Sequence, residues 1–132
     1  MPGKSSATLL CAALAAAVPL AAPALAEGDA AAGKAAFRKC AACHTVDQAN
    51  RVGPNLAGIV GRPVASVEGF RYSAAMKAFG EGGKVWDEAL LAEYLVAPRT
   101  VVKGTTMAFA GIRKEQEIAD LIAYLKDPAG AD

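Results

Sequence analysis

Histidine is nearly missing from this chain, which holds one, His44, among 132 residues. Ligation of a metal by two imidazoles is therefore excluded. Cysteine is scarce as well, limited to Cys11, Cys40 and Cys43. A structural zinc site wants four Cys or His ligands, and Cys40, Cys43 and His44 offer no second half-site. There is no surplus of charge of one sign, with 14 Lys and Arg against 13 Asp and Glu. General nucleic-acid binding needs a basic excess to neutralise phosphates, so that class is set aside. No alternating apolar–polar stretch marks a strand, and no internal repeat or low-complexity tract interrupts the chain after its first 26 residues.

An uninterrupted apolar run is also lacking. Residues 7–22 are rich in Ala and Leu, but Pro19 and Pro23 break the neighbourhood, whereas a membrane span wants about 20 continuous apolar residues. With Lys4 before the run and Ala24-Leu25-Ala26 after it, residues 1–26 read as a secretory leader cut after Ala26. Cys11 leaves with it, and Leu10 before it is not the small residue that precedes a lipidated cysteine. Removal takes away Lys4 alone among charged residues, so residues 27–132 carry equal numbers of acidic and basic groups. A retained anchor, fixing the domain as a subunit of a membrane complex, is the competing expectation.

What is present is concentrated at Cys40-Ala41-Ala42-Cys43-His44. This C-x-x-C-H pattern is that of c-type haem attachment. Two thiols on one turn can each form a thioether to a haem vinyl group, and the next residue sets an imidazole against the iron. A redox dithiol, a disulfide and half a zinc site are the alternatives. Opposite His44 the chain offers Met76 and Met107 as thioethers. Met107 is favoured by its turn-like setting, Lys103-Gly104-Thr105-Thr106-Met107-Ala108-Phe109, while Met76 in Ala74-Ala75-Met76-Lys77-Ala78-Phe79 reads as helix packing.

The spacing predicts three main helices. Asp29 caps the first, over 29–40, whose inward face carries Gly33, Ala36, Phe37 and Cys40. Asp87 caps the second, with Leu90, Leu91, Tyr94 and Leu95 at helical spacing and Pro98 as its stop. The third, over 114–126, places Ile118, Leu121, Ile122 and Leu125 in one stripe, and Pro128 ends it. Residues 45–85 hold many Gly and Pro and are expected to be loops with short helical pieces. The result is an all-α domain whose missing core volume a flat apolar cofactor would fill.

The ordered set Gly33, Phe37, Gly53-Pro54-Asn55-Leu56, Gly61-Arg62, Gly69-Phe70-Arg71-Tyr72, Trp86, Tyr94-Leu95, Gly104-Thr105-Thr106-Met107-Ala108-Phe109-Ala110-Gly111 and Leu121-Ile122-Ala123-Tyr124-Leu125 resembles class I cytochromes c, of the bacterial cytochrome c2 and mitochondrial-like group. The resemblance spans 28–126 and implies the cytochrome c fold around one covalent haem c. It implies haem on Cys40 and Cys43 and axial iron ligands His44 and Met107. It also implies the Pro54 carbonyl as acceptor for the His44 ring N–H, and cofactor contacts at Arg62, Tyr72, Trp86 and Tyr94, the first three toward the propionates. Core packing is the competing role for Trp86. Gly33 would let the first and last helices cross near Tyr124. Lys103 and Thr106 stand where mitochondrial relatives have proline and lysine around the methionine loop, and Met76 where they often have asparagine.

Two protein ligands would leave iron no open position, so a one-electron carrier is expected and not an enzyme. A labile sixth ligand, admitting a small molecule, is the alternative. By resemblance the donor is a cytochrome bc1 complex and the acceptor a terminal oxidase or photosynthetic reaction centre, met by transient docking of a monomer. The expected compartment is the periplasm, with a photosynthetic lumen second. Arg38, Lys39, Arg99, Lys103, Arg113 and Lys114 flank the two haem-binding segments and suggest a basic docking face.

Overall fold

The computed structural model describes Met1, Gly3 and residues 26–131. The leader expected at 1–26 therefore lies almost wholly outside the described residues. The elements are α1 (Ala30–Phe37), α2 (Ala74–Phe79), α3 (Glu88–Val96), α4 (Pro98–Val101) and α5 (Glu115–Lys126), followed by a 3-10 turn at Ala129–Ala131.

Each longer helix starts where its cap is encoded, α5 excepted. The Asp29 carboxylate accepts from the Ala31 and Ala32 N–H groups, and the Asp87 carboxylate from Leu90 N–H. Lys114 precedes α5 without a side-chain cap bond, and Glu115 and Glu117 in the first turn complement the helix dipole instead. The first helix is shorter than expected. Beyond Phe37 the chain tightens into turns, with Cys40 N–H bonded to Phe37 O at 2.8 Å and Cys43 N–H to Cys40 O at 3.0 Å. Pro98 stops α3 but also opens α4, because its fixed φ and missing N–H suit a first helical position.

The fold is organised on the packing of α1 against α5, with α3 also against α5. Gly33 makes the close crossing possible. A Cβ there would run into the Asp120 carbonyl and lie 2.7 Å from Tyr124 Cβ. Phe37 and Tyr124 stack beside it with ring centroids 5.4 Å apart. Leu121, Ile122, Leu125 and Ile118 are each at most 3% exposed, so the apolar stripe of α5 forms the centre of the core.

The other half has little helix. Pro63 and Val85 form an isolated antiparallel bridge, and no strand occurs among the described residues. Around that bridge Gly61 N–H bonds Trp86 O at 2.7 Å, Trp86 N–H bonds Arg62 O at 2.9 Å and Val64 N–H bonds Lys84 O at 2.9 Å. This pairing sets Arg62 beside Trp86 although 23 residues separate them in sequence.

Candidate cofactor site

Between the two halves lies a cavity of about 570 Å³, within the range of about 300–1,000 Å³ usual for ligand and cofactor sites. Its walls are mostly apolar and include Leu56, Ile59, Phe70, Leu91, Leu95 and Phe109. Cys40, Cys43, His44, Pro54, Arg62, Tyr72, Trp86, Tyr94 and Met107 all line it. Residues expected from sequence to bind the cofactor, spread over 68 positions, thus share one space.

His44 is aimed by the loop that follows it. Its Nδ1 donates to the Pro54 carbonyl at 2.7 Å, a geometry that leaves Nε2 as the free nitrogen. Gly53 lies against the same ring, where a Cβ would come within 2.7 Å of Nδ1. Gly53 N–H is bonded to Cys43 O at 2.8 Å, so the loop folds back on the motif itself. Cys40 and Cys43 are not joined as a disulfide. Burial pushes the Cys40 thiol up, with the Lys39 charge acting against it. No three Cys, His, Asp or Glu side chains converge as a metal site among the described residues, so the zinc alternative gains no donor group from the fold.

Both thioethers reach the cavity. Met76, read from sequence as helix packing, sits in α2, packs on the core and also lines the space. Met107 is distinguished by its partners. Tyr94 O–H donates to Met107 Sδ at 3.8 Å, and Met107 N–H donates to Thr105 Oγ1 at 3.2 Å. Burial raises the Tyr94 hydroxyl above its ordinary range, with a hydrogen bond to Thr105 pulling the other way.

Arg62 supplies the polar test of what the cavity accepts. Nη1 donates to Ala57 O and Nη2 to Asn55 O, both at 2.9 Å, yet the buried Nε has no partner. Desolvation lowers the Arg62 pKa, a cost that an anion beside it would offset. A planar apolar group carrying carboxylates meets both needs, with two thiols suited to its vinyl groups and one imidazole and one thioether suited to its iron. The Tyr72 hydroxyl oxygen accepts from Val67 N–H at 3.2 Å, leaving its proton to give. Trp86 is 7% exposed and stacks on Tyr94 at 4.8 Å and on Phe79 at 5.8 Å, so it serves as core whatever else it touches.

Two features escaped the sequence reading. The 61–64 and 84–86 pairing has no side-chain signature. Lys39 forms an ion pair with Glu117 of α5, so one member of the expected basic face has its charge partnered.

The cytochrome c family model matches residues 30–128. Cytochrome c2 of Agrobacterium tumefaciens (strain II Chrys) is 46% identical over 101 residues, covering 75% of this chain and 91% of that protein. Cytochrome c-550 of Nitrobacter winogradskyi is 49% identical over 100 residues, covering 74% and 89%. Among solved structures, cytochrome cH from Methylobacterium extorquens aligns with a TM-score of 0.69 at 44% identity, covering 75% of this chain and 98% of that one. A fold of this shape and a match of this length have one explanation: the chain belongs to the class I cytochromes c, in the cytochrome c2 group, and carries a covalently bound haem c with its iron.

Proposed function

We propose that this electron-carrier cytochrome works as a freely diffusing periplasmic shuttle, released from its leader after Ala26. It would take single electrons from a cytochrome bc1-type complex and give them to a terminal oxidase or reaction centre. The observation that carries the carrier reading is that one apolar cavity holds His44, fixed by Pro54, and Met107, fixed by Tyr94. His44 and Met107 would together take up the iron's ligand positions and leave no place for substrate, which speaks for electron transfer over catalysis.

Haem c supplies a single reversible electron at its iron. The chain's residues set the conditions for that exchange. Cys40 and Cys43 would hold the group by thioethers. The Pro54 carbonyl orients the His44 ring and strengthens its donation. Tyr94 holds the Met107 sulfur, which would let the same residues hold the iron in both oxidation states with little movement between them. The apolar walls keep water away and favour the less charged, reduced state. Arg62 and the Tyr72 hydroxyl line the cavity and would serve the carboxylates. Arg38, Arg99, Lys103, Arg113 and Lys114 are exposed and would steer the rim toward acidic docking surfaces, raising association rate in a salt-sensitive way.

The test is the visible spectrum of the oxidised protein and its Met107→Ala variant, read at the weak sulfur-to-iron charge-transfer band at the red end. The band is expected in the parent and absent in the variant. A parent without the band would remove Met107 as ligand and put the ligand-binding alternative first.

A further inference from the structure

The chain turns tightly between Phe37 and His44, and carbonyls of that turn are taken up by one short segment of the loop that follows. Cys40 O accepts from Cys43 N–H at 3.0 Å and from His44 N–H at 2.9 Å, so the turn closes on itself there. Cys43 O accepts instead from Gly53 N–H at 2.8 Å, and Arg51 Nη1 donates to Ala41 O at 3.0 Å. Arg51 N–H in turn donates to Gly53 O at 2.9 Å, which draws residues 51–53 into one tight turn. The segment is thus tied to the attachment motif at two carbonyls, once by backbone and once by a side chain.

Burial does little to hold this segment, for Arg51 is exposed and Val52 is 82% exposed. Yet it leads straight into the two residues that aim the His44 ring. Gly53 packs against the ring, and the Pro54 carbonyl accepts from Nδ1 at 2.7 Å. The far side of the loop is pinned separately, by Leu56 N–H on Thr45 O at 2.8 Å and Asn55 N–H on Asn50 Oδ1 at 2.9 Å. The movement left to residues 51–54 is a swing away from the motif, and the Arg51 bond opposes it. A guanidinium on a carbonyl is a charge-assisted hydrogen bond, about twice as strong as a neutral one. Because its acceptor is not a carboxylate, it does not depend on the exposed ion pairing that salt weakens.

We propose that Arg51 is a positioning residue for the axial imidazole: by holding Ala41 O it keeps the Pro54 carbonyl on the His44 ring N–H, and so sets how strongly His44 donates to the iron. The proposal rests on the reading of His44 as an axial ligand and adds the residue that governs its strength. A firm bond from Nδ1 makes the imidazole a better donor and favours oxidised iron, and a loose one favours reduced iron. An exposed side chain thereby bears on the driving force of electron exchange without touching the cofactor.

The experiment compares haem-loaded parent, Arg51→Ala and Arg51→Lys by proton NMR of the reduced protein. It follows solvent exchange of the His44 ring N–H beside that of the α5 amides. The reduction potential is measured as well, at about 1 M salt, where a Debye length of about 3 Å screens out the direct effect of the Arg51 charge. In Arg51→Ala the ring N–H is expected to exchange at least about tenfold faster, the loss of one charged hydrogen bond from a local opening, with α5 amides unchanged and the potential raised. Arg51→Lys should return both toward the parent. A ring N–H as slow as in the parent would overturn the proposal. So would an equal quickening of the α5 amides, which marks general loosening, or a potential that stays put. The ring protons of an iron-bound imidazole lie far upfield under the haem ring current. Ordinary positions for those of His44 would sink the ligand reading itself, whereas shifted ring protons with unchanged N–H exchange would sink the role of Arg51 alone.

Discussion

The half built on α1, α3 and α5 and the half running from Thr45 to Trp86 are held together by different forces. In the first, helix faces interlock, with Gly33 against Asp120 and Tyr124 and a stripe of almost fully buried side chains on α5. In the second, single hydrogen bonds join short loops: Leu56 N–H to Thr45 O at 2.8 Å, Asn55 N–H to Asn50 Oδ1 at 2.9 Å, and the Arg62 and Trp86 pairing. Among the apolar residues of these loops, Ile59, Val64 and Trp86 are buried, and Ile59 and Trp86 face the cavity. The helical half can hold its shape by packing, whereas the loop half depends on what fills the space between them.

Removing the attachment thiols gives the largest expected break in that comparison. A Cys40→Ala/Cys43→Ala chain should lose amide-exchange protection across 45–86 altogether, while α1 and α5 keep a measurable part of theirs. Equal loss in both halves would show one cooperative unit. Next in size, Gly33→Val should cost about 3 kcal/mol in denaturant unfolding, because backbone stands where the side chain must go. The spectrum of the folded fraction should be unchanged, since the strain lies away from His44 and Met107. The smallest effect concerns Asp47, whose carboxyl is held below its ordinary range chiefly by the Ala49 N–H, with Thr45 and Arg51 assisting. A lowered folded pKa gives stability present above about pH 4 and lost as pH falls through the folded value. Asp47→Asn should therefore flatten the acid limb of the stability curve slightly, and an unchanged limb would remove the loop's carboxylate from the account.

The same contrast explains what could be read in advance. The extents of α3 and α5 followed from apolar spacing, and α1 and α3 from Asp caps, since those signals lie within one helix. The C-x-x-C-H motif was legible for the same reason of proximity. Arg62 and Trp86 were reachable only through family resemblance, because backbone atoms join their segments and leave no pattern in side chains. Pro98 was read as a stop, which it is, but proline is equally suited to begin α4. The double aspect of Met76, core on one side and cavity wall on the other, needs the third dimension.

Finally, α5 reaches back to Asp29 through Asp120, to Gly33 through its backbone, and to Lys39, the neighbour of Cys40, through Glu117. A helix translated well after the motif thus anchors the segments on both sides of the helix that leads to the thiols. A chain broken off before Glu115 has the whole attachment motif but lacks the helix on which α1 packs. Haem attachment at Cys40 and Cys43 is therefore expected to be slower in a chain that lacks α5, a demand on the helix that neither its apolar stripe nor the motif itself announces.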